Sequence, residues 1–154
     1  MLTNTSGKSE KMTDSKIYID TAIFIYYLEQ NPFYFNKARN LFKLCFNNDS
    51  IGLFTSTVTV EEYCVFPFSE NNSESIENFD KFIDGMDISV IPLNRTIALE
   101  AAKFRAKYKG IKALDAIHLA TAYISGCSLF VTNDKQLQQI QELNVVTMDD
   151  DFLE

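Results

Sequence analysis

Lys16-Ile-Tyr-Ile-Asp20, running directly into Thr21-Ala-Ile-Phe-Ile-Tyr-Tyr-Leu28, is the stretch on which the fold turns. The first segment is a short β-favouring run that closes on an acid. The apolar stretch Ala22 to Leu28 then continues until Asn31-Pro32 breaks it. The pattern predicts a strand passing straight into a helix. A carboxylate at such an apolar junction is costly unless solvated or paired, so Asp20 is the first candidate functional residue.

The same alternation recurs along the chain. Tyr34, Ala38, Leu41, Phe42 and Cys45 keep helical spacing up to Asn47-Asn48-Asp49. Ile51 to Phe54 predicts a strand, followed by a helix that Ser56 caps and Pro67 stops just after Phe66. Asn71 to Ser75 predicts a polar loop, Ile76, Phe79 and Ile83 an amphipathic helix, and Ile88 to Leu93 a strand with proline at its edge. Ile97, Ala101, Phe104 and Tyr108 trace a helix closed at Gly110, and Ala113 to Ile124 is apolar nearly all round, hence buried. Leu129 to Thr132 predicts a strand, Lys135 to Gln141 a short helix and Val145 to Met148 a last strand. Alternating strands and helices imply an α/β fold of three layers, α/β/α, with a central parallel sheet of about five strands. Sites in such sheets lie beyond the carboxyl ends of strands, where the strand order reverses. Asp20 and Asp134 occupy such ends.

With 154 residues, 46% of them hydrophobic, the chain fits one compact domain over residues 16–154 behind a flexible polar tail, residues 1–15. The tail has neither the apolar segment nor the cleavage site of a secretion signal, and no apolar run approaches the roughly 18 to 20 residues of a membrane span. Cys45, Cys64 and Cys127 form an odd, widely spaced set without a CxxC pair, which predicts a reduced, cytoplasmic setting and no structural zinc. They read as small buried hydrophobes. The net charge of −7 conceals a basic segment: Lys103, Arg105, Lys107, Lys109 and Lys112 occur with no acid among them. That segment is either a solvated helix face or a rim that contacts phosphates.

Four acidic positions stand where packing alone would not put them. Asp20 ends the first strand, Glu61 or Glu62 lies in the helix after Ser56, Asp115 begins the most apolar helix, and Asp134 follows the strand Leu129 to Thr132. Taken singly, each is an ordinary cap or turn former. Together they read as a constellation.

KIYIDTAIFIYYLE, TSTVTVEEY, LDAIHLATA and LFVTNDKQL resemble, in order and separation, the successive motifs of VapC-type PIN-domain toxins, over Ile17 to about Met148. The resemblance implies a metal-dependent endoribonuclease that leaves a 5′-phosphate and a 3′-hydroxyl, the toxin of a toxin-antitoxin pair, bound by an antitoxin protein and homodimeric. It carries the motif acids onto Asp20, Glu62 (six positions after Ser56), Asp115 and Asp134, and a hydroxyl beside the site onto Thr132. Asp20, Asp115 and Asp134 are then expected to hold the metal, with Glu62 as a further ligand or as the group that orients or deprotonates the water. Two positions depart from the pattern. Ala22 stands where the family usually has Asn, removing a hydrogen bond near the metal, and Gln136 stands where many members carry a further acid, which weakens a second metal site.

Carboxylates are hard ligands suited to Mg2+ or Mn2+. His118, one turn after Asp115, invites a general-base role, but the apolar helix around it favours a hydrogen-bonded core histidine. Phe24, Tyr26, Tyr27, Phe33, Tyr34 and Phe35 could line a groove for an inhibitory helix, with core packing the preferred use of most of them; Asp149-Asp150-Asp151 reads as a solvated charged end. A phosphatase of the haloacid-dehalogenase type would need a second Asp at position 22, where this chain has Ala. The remaining alternative is a catalytically inactive PIN-fold module that binds RNA or protein.

Overall fold

The computed structural model describes residues 15–153, so residues 1–14 of the expected tail lie outside the described residues, and Ser15 opens the first strand. The elements are β1 (Ser15–Ile19), α1 (Thr21–Leu28), α2 (Phe35–Phe46), β2 (Ile51–Ser56), α3 (Thr57–Ser69), α4 (Ser73–Gly85), β3 (Ser89–Ile91), α5 (Arg95–Lys107), α6 (Ala113–Ile124), β4 (Leu129–Thr132), a 3-10 turn (Lys135–Gln139) and β5 (Val145–Thr147). Five parallel strands lie in the order β3-β2-β1-β4-β5. The chain therefore moves outward from β1 in one direction through β2 and β3, and in the other through β4 and β5. The reversal falls between β1 and β4, and the carboxyl ends of these strands are where sites lie in such sheets.

The twofold alternation of β1 divides the interior. Ile17 and Ile19 join Phe24, Leu41, Phe42, Tyr63 and Phe79 in a core under α1 to α4. Tyr18 points the other way and joins Leu119, Phe130, Ile97 and Phe104 in a core under α5 and α6. These are the three layers expected from the sequence. The aromatic run serves mostly as packing: Phe24 is fully buried and Tyr27 stacks on Phe35, whereas Phe33 alone projects, 86% exposed. All three cysteines are buried free thiols, and burial pushes Cys45 up to about 11 and Cys127 up to about 12. Among the described residues no helix is long and apolar enough to cross a membrane.

Element boundaries shift where local chemistry is stronger than expected. Pro67 does not stop α3 but lies inside its last turn, because proline's fixed φ suits a helix and only one donor is lost. The chain beyond it is still tied back, Glu70 N to Phe66 O at 3.1 Å and Asn72 N to Pro67 O at 2.8 Å. Asn72 then caps α4 through Ser75 N at 3.1 Å, so that helix begins at Ser73 and takes most of the expected loop. The β3 ladder ends at Ile91, ahead of Pro92, which has no donor to extend it. Asp150 is no loose end either: its carboxylate accepts from Thr147 N at 2.7 Å and Gln138 Nε2 at 2.8 Å.

Phe130 has no exposed surface and stacks on Tyr18 at 5.0 Å between ring centroids. Phe130→Ala is expected to lower unfolding free energy by about 3–5 kcal/mol in a urea titration; a loss below about 1 kcal/mol would show that the stack of β4 on β1 is not a keystone of the core.

Candidate functional site

Asp20 follows β1 and caps α1, its Oδ1 accepting from Thr21 N at 2.8 Å. Its backbone N–H continues the ladder to Val131 O at 2.9 Å, which holds the residue at the β1–β4 junction. Oδ2 accepts from Thr132 Oγ1 at 2.6 Å. The carboxylate, only 9% exposed, thus sits between two strand ends with both oxygens engaged.

Glu62 arrives from α3, whose start Ser56 fixes by accepting from Val58 N at 3.1 Å. Of the adjacent acids, Glu62 turns toward Asp20 while Glu61 is exposed beside Cys64 and Val65. Glu62 Oε1 accepts from Thr21 Oγ1 at 2.9 Å and from His118 Nε2 at 2.6 Å. His118 is 1% exposed, with its other nitrogen 2.6 Å from the Tyr18 hydroxyl. Asp20, Glu62 and His118 each offer an atom within 4.8 Å of the other two. A histidine thus stands directly against the candidate acids. His118 is the hydrogen-bonded core residue that its apolar helix suggests, but its partner is a candidate site acid. Thr21 was not anticipated as a site residue; its position directly after Asp20 was the available signal.

Asp115 lies in the first turn of α6, where the helix dipole favours a negative charge and Lys112 provides no side-chain cap. Burial first, then the charges of Asp20 and Asp134, raise its carboxyl above the ordinary range; His118 opposes the shift and Glu62 adds to it. Asp134 is the outermost of the four. Its N–H donates to Thr132 Oγ1 at 3.2 Å, and its Oδ1 caps the 3-10 turn through Gln136 N at 3.0 Å. Thr132 thus bridges the β4 acid to the β1 acid.

The acids differ in how their charge is balanced. Burial would raise Glu62, but the bond and charge from His118, then Thr21, leave it lowered. Burial likewise would lower His118, but Glu62, Asp20 and Asp115 leave it raised. Both shifts run in the same sense, each favouring the charged form of its group. Among the described residues Asp115 has no such hydrogen-bonded or ion-paired partner, and its crowding with other carboxylates is the chemistry of a set that fits a hard divalent cation.

Three layers around a five-stranded parallel sheet, with acids converging beyond the β1 and β4 ends, define a class of acid-centred α/β domains. The chain belongs to the PIN-domain family, whose profile matches residues 17–143; PIN domains are generally nucleases and typically depend on divalent metal. Among solved structures the fold is similar to VapBC2 from Rickettsia felis bound to a DNA fragment from their promoter (17% identity, 86% of this chain and 98% of that one, TM-score 0.69). It is also similar to DNA-bound VapBC from Salmonella typhimurium (18%, 87% and 98%, TM-score 0.70) and to VapBC-1 from nontypeable Haemophilus influenzae (19%, 88% and 99%, TM-score 0.68). No curated protein matches the sequence significantly.

A raised carboxyl favours folding while protonated and opposes it once ionised. Asp115 should therefore make metal-free stability fall as pH rises from the ordinary carboxylate range through its raised value. Asp115→Asn should lack that slope and, in chelator at neutral pH, melt no lower than the parent. Mg2+ or Mn2+ should raise the parent's melting temperature more than the variant's. A variant that melts far lower in chelator, with an unchanged metal response, would make Asp115 a structural cap.

Proposed function

We propose that the chain is a metal-dependent endoribonuclease using Mg2+ or Mn2+, the toxin of a toxin-antitoxin pair, acting in the cytoplasm as a homodimer that an antitoxin protein restrains. Residues 16–154 act as its single PIN-like domain. The approach of Asp20 and Glu62 within 4.8 Å, from the end of β1 and from α3, with Asp115 of α6 near enough for their charges to raise its carboxyl, carries this reading. Asp20, Asp115 and Asp134 would hold the cation, and Glu62, as a further ligand or as a base, would orient or deprotonate the attacking water. Thr132 keeps Asp20 turned to the site. When bound, the cation supplies charge neutralisation at the scissile phosphate and a more acidic water. Ala22 brings no hydrogen bond to this group, but Thr21 supplies one to Glu62. Gln136, where an additional acid would serve a second ion, leaves the one-ion arrangement as the simpler assignment. The antitoxin partner is supported by likeness to toxin-antitoxin complexes.

An acidic chain must still receive a phosphate backbone, and the basic segment divides on this point. Lys103 pairs with Glu100 and Lys107 with Glu142, which commits both to the surface of the fold. Lys109 and Lys112 are exposed around Gly110. Gly110 has φ +81° and so close an approach to Gln136 that an added Cβ would stand 2.7 Å from its Nε2. That approach brings the lysine loop beside the Asp134 turn, and Lys112 directly precedes the helix that carries Asp115. Both lysines are suited to meet RNA phosphates at the rim.

Cleavage of single-stranded and structured RNA should require Mn2+ or Mg2+ and vanish in Asp20→Asn at unchanged fold. A parent inert with both metals, or a variant as active as the parent, would leave the inactive-module reading standing. Neutralising Lys109 and Lys112 to Gln should weaken RNA binding and flatten its salt dependence by about 0.7 in log-log slope for each phosphate that a lysine had neutralised. An unchanged slope would return both lysines to the solvated surface.

A further inference from the structure

Glu62 engages the surrounding fold through only one of its two oxygens. Both of its hydrogen bonds, from Thr21 and from His118, arrive at Oε1, and among the described residues none reaches Oε2. The donor behind it is fixed in turn. Tyr18 is wholly buried, stacked on Phe130 with ring planes 6° apart, and its hydroxyl stands 2.6 Å from His118 Nδ1. A phenol donating to Nδ1 selects the tautomer with its proton on Nε2, toward the carboxylate, and an imidazolium also carries a proton there. With both nitrogens occupied and 1% of its surface exposed, the ring has no lone pair to offer a substrate.

We infer that His118, backed by Tyr18, is a positioning residue: it fixes Glu62 by Oε1 beside Asp20 and so leaves Oε2 as the oxygen free of bonds to the described residues. The bond also has a consequence for the helices. Glu62 belongs to α3 and His118 to α6, on opposite faces of the sheet, so their pairing sets how far the Glu62 carboxylate stands from Asp20 and Asp115. The catalytic consequence rests on the nuclease reading, whereas the positioning itself does not. Groups that orient metal-site residues in this way typically change affinity or activity by about ten- to a hundredfold when removed.

The chain has a single histidine, which makes its imidazole directly observable in a 15N-labelled sample. The Nε2–H resonance should be present in the metal-free protein, shift in Glu62→Gln, and respond to Mg2+ in the parent but much less in that variant. An Nε2 without a proton, or one indifferent to Glu62→Gln, would overturn the proposal. His118→Leu fills the volume without a donor, while the amide nitrogen of His118→Gln can stand near the Nε2 position. The leucine variant should lose about tenfold in Mn2+ affinity by calorimetry and about tenfold in kcat, with KM for RNA unchanged, and glutamine should recover most of both. Glutamine failing alongside leucine, or leucine matching the parent, would reduce His118 to core packing. Should the leucine variant not fold, Tyr18→Phe and His118→Gln are compared by the same readouts, Tyr18→Phe being expected to weaken Mn2+ binding and His118→Gln to retain it. A parent that cleaves no RNA would sink the nuclease reading alone, since the imidazole spectrum and the Mn2+ affinities still decide the role of His118.

Discussion

A carboxylate at the end of a strand buried on both faces is the constraint from which the site follows. β1 is the central strand, with Tyr18 and Ile19 wholly buried, and its continuation delivers Asp20 to a position only 9% exposed. An unpaired charge there would cost several kcal/mol or would neutralise. The fold meets the demand with donors that the neighbouring elements supply: the N–H that opens α1 and the hydroxyl that ends β4. Those donors bring their elements with them, so satisfying one charge also sets the geometry at which other acids approach it.

The second acid is treated differently. Glu62 gains a buried hydrogen-bonding partner within the protein, whose shift, like that of Glu62, favours the charged form, and His118 can be that partner because α6 is apolar enough to bury it and β1 presents Tyr18 to its far side. A buried ion pair is a weak source of net stability, since desolvation offsets most of the attraction, but it is a strong constraint on position. Asp115 has neither arrangement. It stays crowded by Asp20 and Asp134 and is the group whose charge calls for a cation from outside. The site is therefore graded: one acid held by backbone and hydroxyl donors, one by a buried histidine, one left in excess.

On the proposed nuclease reading, the same grading bears on how a chain of net charge −7 would receive RNA. Long-range attraction to RNA is not available from the molecule as a whole, and several lysines are already engaged by nearby acids. What would remain is local: a cation that the carboxylates would hold, and two lysines on a tight turn near them. Affinity built this way is short-ranged and depends on the cation being present.

Much of this was legible in one dimension. The strand-to-helix run at Lys16–Leu28, the alternation downstream and the apolar α6 segment carry the three layers, because period 2 and period 3.6 are properties of consecutive residues. The separated acids Asp20, Asp115 and Asp134 could be picked out because each stands at an element end, where local pattern makes a charge conspicuous. Helical spacing alone left Glu61 and Glu62 equivalent; the family pattern favoured Glu62, and in the fold it is the one facing Asp20. His118 read as a core residue, and it is one, but nothing within its helix could reveal Glu62, 56 positions away, or Tyr18, 100 positions away, as its partners. Pro67 was misjudged as a helix stop because its local preference is real but weaker than the packing of α3 and the capping of α4 by Asn72. The sequence alone thus determined which segments are strands and helices and which residues can carry charge, through local periodicity and side-chain chemistry. Which charges meet, and which of them are neutralised, was decided only when a parallel sheet brought the ends of distant elements to one edge, because Coulomb and hydrogen-bond energies depend on distance in space and not along the chain.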